Sequence, residues 1–146
     1  MPEYFISTDR GALDVEFIVR SLQSTYWAGD RLRETIIASL ASSICFGVYE
    51  ADSRHQVGFA RIVTDGATFT WLCDVFVAAP HRGRGLGKRL VTEVLSHPSV
   101  AGTRVYLGTK DAHGLYAQFG FQRWELMRYA CEKHDSEAQP SSLRGG

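Results

Sequence analysis

The stretch FTWLCDVFVAAPHRGRGLGKRL, residues 69–90, runs from an almost wholly apolar segment into ten residues that hold three glycines and four Arg or Lys. The apolar half, FTWLCDVFV (69–77), is the most apolar strand in the chain and reads as central and buried on both faces. Leu86, Leu90, Val91, Val94 and Leu95 fall on one helical face, and Pro98 ends that helix. HRGRGLGKRL therefore joins a buried strand to a helix. Such a loop offers backbone N–H groups without partners at the positive end of a helix dipole. Glycines let that backbone come close to a ligand, and the basic residues add charge, so the chemistry points to an anion, phosphate foremost. Two phosphate motifs fail on their letters. A P-loop needs glycine where Arg82 stands and Ser or Thr where Arg89 stands. The dinucleotide pattern G-x-G-x-x-G meets Lys88 or Leu90 in place of its last glycine.

Outward from this stretch the chain reads as mixed α/β, in the order β-α-α-β-β-β-α-β-α-β. YFIS (4–7) is a strand, and Val15, Ile18, Val19 and Leu22 mark a first helix. After STYWAGD (24–30), Asp30 is placed to cap a second helix with the stripe Ile36, Ile37 and Leu40. ICFGVYE (44–50) and VGFARIV (57–63) are strands, and TDGA (64–67) holds an Asp-Gly hairpin signal. TRVYLGT (103–109) follows the long helix as a strand. Asp111 then caps a short helix that stops at Gly120, and FQRWELMRYA (121–130) is the last strand. The hairpins make the first half antiparallel, and the later helices imply crossovers.

With 146 residues the chain suits one domain, 1–133, and the polar run 134–146 reads as a disordered tail. Sixteen Lys and Arg balance sixteen Asp and Glu, which argues against nucleic acid or an anionic membrane as partner. An RNA-binding use of RGRG is a poor fit, because arginine-glycine patches recur in low-complexity tracts and this one stands alone. Cys45, Cys73 and Cys131 lack metal-ligand spacing, so neither zinc nor a disulfide framework is expected. With no signal-peptide pattern and no apolar run near 18 residues, the expected location is cytoplasmic.

R-x-x-G-x-G does fit, through Arg82, Gly85 and Gly87. With the spacing of VFVAAPHRG and with DAHGLYAQFGF matching A-x-x-x-Y-x-x-x-G-F through Ala112, Tyr116, Gly120 and Phe121, the chain resembles the GNAT superfamily of N-acetyltransferases over residues 3–130. The resemblance implies a GNAT-type acyltransferase fold and acetyl-CoA as co-substrate, with no metal. It implies that the backbone of Arg82, Gly83, Arg84, Gly85, Leu86, Gly87 and Lys88 cradles the pyrophosphate. It also implies that the strand ahead of the loop splays, so that Phe76 and Val77 meet the pantetheine arm and thioester. Homodimers are common among such proteins.

Acetyl transfer to a lysine-like amine needs the neutral form, about one molecule in two thousand at pH 7, a penalty of roughly 4.6 kcal/mol. Some group must take that proton, and the departing thiolate must receive one. The resemblance puts Tyr116 near the sulfur as proton donor. Tyr116 otherwise reads as a packed helix tyrosine. Asp74, a carboxylate in an apolar strand, should be paired or near a site, as base, as contact for a cationic acceptor, or as a backbone cap. His113 shares a helix face with Tyr116 and titrates in the right range. Relatives carry a carboxylate or histidine where this chain has Cys73, and an asparagine where it has Thr109; Asp111 stands two residues on. Tyr26 and Trp27 are either an aromatic wall over an amine or packing between helices. The acceptor is then a small or amino-acid-like primary amine. A non-catalytic acyl-CoA sensor is the alternative, since no base is evident.

Overall fold

The computed structural model describes residues 2–129. The chain forms two compact units, residues 1–108 and 109–146. The first holds β1 (Tyr4–Ser7), α1 (Val15–Leu22), α2 (Arg33–Ala41), β2 (Ile44–Glu50), β3 (Gln56–Thr64), β4 (Phe69–Val77), α3 (Leu86–Ser96) and β5 (Arg104–Tyr106). The second holds α4 (His113–Ala117).

The sheet order is β1-β2-β3-β4-β5, the same as the order in the chain. β1 to β4 pair antiparallel, and β4 pairs parallel with β5 after the α3 crossover. The expected alternation of antiparallel hairpins and a crossover is what forms. The central strand, however, is β3, not β4. All of β3's first five residues are buried, whereas β4 alternates buried with half-buried positions and Phe69 is exposed. The reason is pairing. β5 meets β4 only from Phe69 to Trp71, so among the described residues the Leu72–Val77 half of β4 has no partner on that side.

Each sheet face buries one helical layer. Ile18, Val19 and Leu22 of α1 and Ile36 and Leu40 of α2 close over Cys45 and Phe59. Phe76 joins this cluster through its rings' contact with Phe17 and Phe59, both at 5.7 Å between centroids. Leu86, Leu90, Val91 and Val94 form the buried face of α3. Fully burying one such side chain is worth roughly 1.5–3 kcal/mol, so these two stripes fix where the helices lie.

Two of the helix caps differ from expectation. Asp14 caps α1, its carboxylate accepting from the Phe17 N–H at 3.0 Å. α2 starts at Arg33, with Leu32 as its cap and no side-chain bond, so Asp30 stands too far upstream to serve. Its C-terminus is held instead by Arg10, whose guanidinium donates to the carbonyls of Leu40 and Ser43 at 2.6 and 2.5 Å. In the second unit Thr109 and not Asp111 supports the start of α4, its hydroxyl accepting from the Ala112 N–H at 3.0 Å.

The strand expected at 121–130 is not formed over 121–129, and Ala130, like the expected tail, lies outside the described residues. An alternating apolar pattern makes a strand only where an edge pairs with it. Here Trp124, Met127 and Tyr129 are exposed and no ladder includes them. β5 is likewise shorter than TRVYLGT, its pairing ending at Tyr106.

Candidate functional site

Between β4 and α3 the chain turns through a short 3-10 segment, Ala79–His81, and then the glycine loop. Gly83 and Gly85 take positive φ of 81° and 77°, a conformation other residues adopt only with strain. Gly85 caps α3 without any side-chain bond. The first helical bond is from the Arg89 N–H to the Gly85 carbonyl at 3.0 Å. The N–H groups of residues 83–88 thus find no acceptor among the described residues. A Cβ built on Gly83, Gly85 or Gly87 would meet nothing within 4 Å. A row of unpaired amides with open space before it, at the start of an eleven-residue helix, is chemically suited to receive an anion.

Charge is arranged around this row. The Arg82 Nε donates to the Val77 carbonyl at 2.8 Å, which pins the side chain to the end of β4 and leaves its Nη groups outward. Arg84 and Lys88 are exposed and have no ionic partner among the described residues. Leu86 contributes its backbone here while its side chain anchors the core. His81 and Arg89 bind the loop's two ends to β1, through the Tyr4 hydroxyl at 2.8 Å and the Tyr4 carbonyl at 3.3 Å.

Upstream on β4 lies a second constellation. The register slips between Phe59 and Arg61 on β3, and opposite that slip Asp74 sits at a φ of 57°. This bulge turns Asp74 inward, where its side chain is wholly buried. Its Oδ1 accepts from Trp27 Nε1 at 3.0 Å and Arg31 Nη1 at 3.1 Å. Its Oδ2 accepts from Arg31 Nη1 at 2.9 Å and Arg61 Nε at 2.8 Å. Burial pushes the carboxyl upward, but hydrogen bonds and charge from Arg31 and Arg61 outweigh it, so the group stays below the ordinary carboxylate range. Asp74 is therefore ionised and saturated, a poor proton acceptor and a poor contact for a cation. Cys73 beside it is pushed up to about 11 by burial and stays a neutral thiol.

Trp27 and Asp74, both singled out from the sequence, are brought together. Tyr26 stands edge-on to Trp27 at 5.1 Å and is exposed. Phe76 and Val77 end β4 beyond the stretch that β5 pairs. In the second unit Tyr116 and His113 both lie on α4, and the Tyr116 ring is buried edge-on to Phe121 at 5.7 Å. Arg31 and Arg61 were not anticipated. Their signal was present: Arg61 and Asp74 are lone charges in two successive apolar runs, and each needed a partner. Among the described residues no group of His, Cys, Asp or Glu is placed to hold a metal ion, and no helix is long and apolar enough to cross a membrane.

A five-stranded mixed sheet whose fourth strand opens into an amide-lined glycine loop is an α/β fold with a loop suited to an anionic ligand. Residues 42–123, more than half the chain, match the acetyltransferase (GNAT) domain family. A Gibberella zeae protein assigned as an acetyltransferase is 36% identical over 104 residues, and the chain spans 59% of that relative's length. A Xanthomonas campestris protein assigned to the GNAT family superposes with a TM-score of 0.83 at 42% identity, over 89% of this chain and 95% of that one. Glucosamine-6-phosphate N-acetyltransferase of Arabidopsis thaliana shares the fold at a TM-score of 0.65 and 17% identity, covering 88% and 98% of the two chains. The chain belongs to the GNAT acetyltransferase family.

Proposed function

We propose that the protein transfers an acetyl group from acetyl-CoA directly to the primary amine of a small or amino-acid-like acceptor. The observation that carries this reading is the row of unpaired amides at residues 83–88, with open space before Gly83, Gly85 and Gly87. These amides hold the pyrophosphate, and Arg82, Arg84 and Lys88 supply the charge. The backbone of Phe76 and Val77, on the half of β4 that β5 leaves free, holds the pantetheine arm. The bound thioester supplies the acetyl group. Tyr116 gives its proton to the departing thiolate sulfur, and its hydroxyl is recovered from solvent. Asp74, ionised and saturated, positions Trp27 and Arg31 and accepts no proton. The amine's proton leaves to water or to His113.

Tyr116→Phe tests this directly. Turnover should fall by roughly 10²–10⁴-fold, while acetyl-CoA affinity, read by thermal shift against ATP and NAD controls, is unchanged. Equal activity in the variant across a pH series would remove Tyr116 from the reaction. Stabilisation by ATP equal to that by acetyl-CoA would remove the cofactor assignment. The saturation of Asp74 removes the candidate base on β4, which favours an acyl-CoA sensor as the second reading. Tight acetyl-CoA binding without CoA release over a broad amine panel would select it.

A further inference from the structure

The Asp74 cluster is electrically unbalanced. Two guanidinium groups share one carboxylate, and all four contacts to Asp74 come from the chain itself. Among the described residues no second carboxylate lies within ion-pair distance of Arg31 or Arg61. Cys45 and Cys73 are both pushed upward by burial and stay neutral, and the charge that reaches Cys45 from Arg10 is again positive. One positive charge is left over, beside the bulge of β4. It is not sealed away: the Arg31 side chain is 26% exposed and Arg61 12%, against 0% for Asp74.

The donors that remain are specific. Arg31 meets Asp74 through Nη1 alone, so its Nε and Nη2 have no acceptor among the described residues. Arg61 spends Nε on Asp74 and Nη1 on the Ser43 hydroxyl at 3.0 Å, which leaves Nη2. The Trp27 ring stands beside this group, its Nε1 tied to the same carboxylate and its face partly exposed. Asp74 lies three residues before Val77, roughly 10 Å along the strand, within reach of a small acceptor attacking a thioester held at the end of β4.

We infer that the acceptor carries a carboxylate as well as its amine, and that Arg31, supported by Arg61, binds that carboxylate while Trp27 covers the adjoining carbon skeleton. This rests on the acetyltransferase reading above and narrows its acceptor to molecules with a free amino-acid end. A carboxylate fits better than a phosphate because the surplus is a single charge, and because a guanidinium edge matches a planar two-oxygen anion. A purely cationic acceptor, such as a polyamine, would meet repulsion at this point. The fixed Asp74 holds Arg31 in place before the acceptor arrives, so little side-chain freedom is lost on binding.

The experiment pairs each common amino acid with its C-terminal amide and includes O-phosphoethanolamine. All are assayed for CoA release from acetyl-CoA by the full chain, by Arg31→Gln and by Arg31→Lys. The wild type should favour an acid over its amide by about 10- to 100-fold in kcat/KM, the worth of a charged hydrogen bond. Arg31→Gln should bring that ratio near one by raising KM, with acetyl-CoA affinity close to wild type, although the melting temperature falls because the buried Asp74 carboxylate loses a partner. Arg31→Lys should keep part of the preference, and this separates lost charge from lost folding. Amides used as well as acids, or a preference that survives Arg31→Gln, would overturn the inference. So would preference for O-phosphoethanolamine, or no acetylation of any probe by a protein that binds acetyl-CoA. Failure to bind acetyl-CoA at all would instead sink the acetyltransferase reading.

Discussion

The glycine loop at 82–88 and the ionic cluster around Asp74 flank the same half of β4, and they are built in opposite ways. The loop is contiguous in sequence, exposed, and rich in donors without acceptors. The cluster draws Trp27, Arg31, Arg61 and Asp74 from three separate segments, is largely buried, and saturates its acceptor. The first is organised to receive something, so it adds little to folding. The second completes itself, so it should matter to the fold before any ligand arrives. Stability and affinity should therefore respond in opposite patterns to substitutions in the two places.

The sharpest break would come at Asp74. Asp74→Ala leaves two guanidinium groups facing each other and should cost roughly 3–5 kcal/mol, towards the lower end because Arg31 reaches water. Urea unfolding of the wild type and variant measures this. A loss under about 1 kcal/mol would mean that the cluster behaves as a surface ion pair and that the contrast with the loop is false. Its dependence on pH sharpens the same point. The folded carboxyl lies below its ordinary value of about 3.9, so its contribution is complete above that value and disappears as pH falls through the lowered one. The stability gap between the wild type and Asp74→Asn, measured at pH 7, should therefore narrow below about pH 4. A gap that stays constant down to pH 3 would show that charge is not what Asp74 contributes.

The smallest expected effect lies in the loop and has the opposite sign. Gly87 is in the first turn of α3 at an ordinary helical conformation, with open space where a Cβ would go. Gly87→Ala should raise stability by about 0.5–1 kcal/mol. The same methyl would crowd the amide row and lower acetyl-CoA affinity by at least several-fold. Calorimetric melting with a parallel acetyl-CoA titration reads both. If affinity survives, the glycine serves the helix start and not a ligand.

The same contrast governs what the sequence disclosed. The loop was legible because its chemistry is local: strand, glycines, basic residues and helix stand in one run of twenty-two residues, 69–90. The antiparallel half of the sheet was legible for the same reason, since each hairpin joins neighbours. Asp74's need for partners could be read from its apolar setting. The identity of those partners could not, because Arg31 and Arg61 reach it across 43 and 13 residues. The bulge that turns Asp74 inward is a property of two strands together, and so is the early end of β5. FQRWELMRYA has the apolar alternation of a strand, and no pattern within it says whether an edge is present to pair with it.

The identity of sheet order and chain order has a consequence for synthesis. As the polypeptide leaves the ribosome, each strand of the first unit finds its neighbour already made. Every antiparallel pair is available once Val77 has emerged, and only the α3 crossover must wait for β5. Vectorial assembly of this kind keeps loop closures short and avoids holding an unpaired inner strand while a distant partner is translated. The nascent chain should thus be protected early, with resistance to proteolysis rising as β2, β3 and β4 appear in turn.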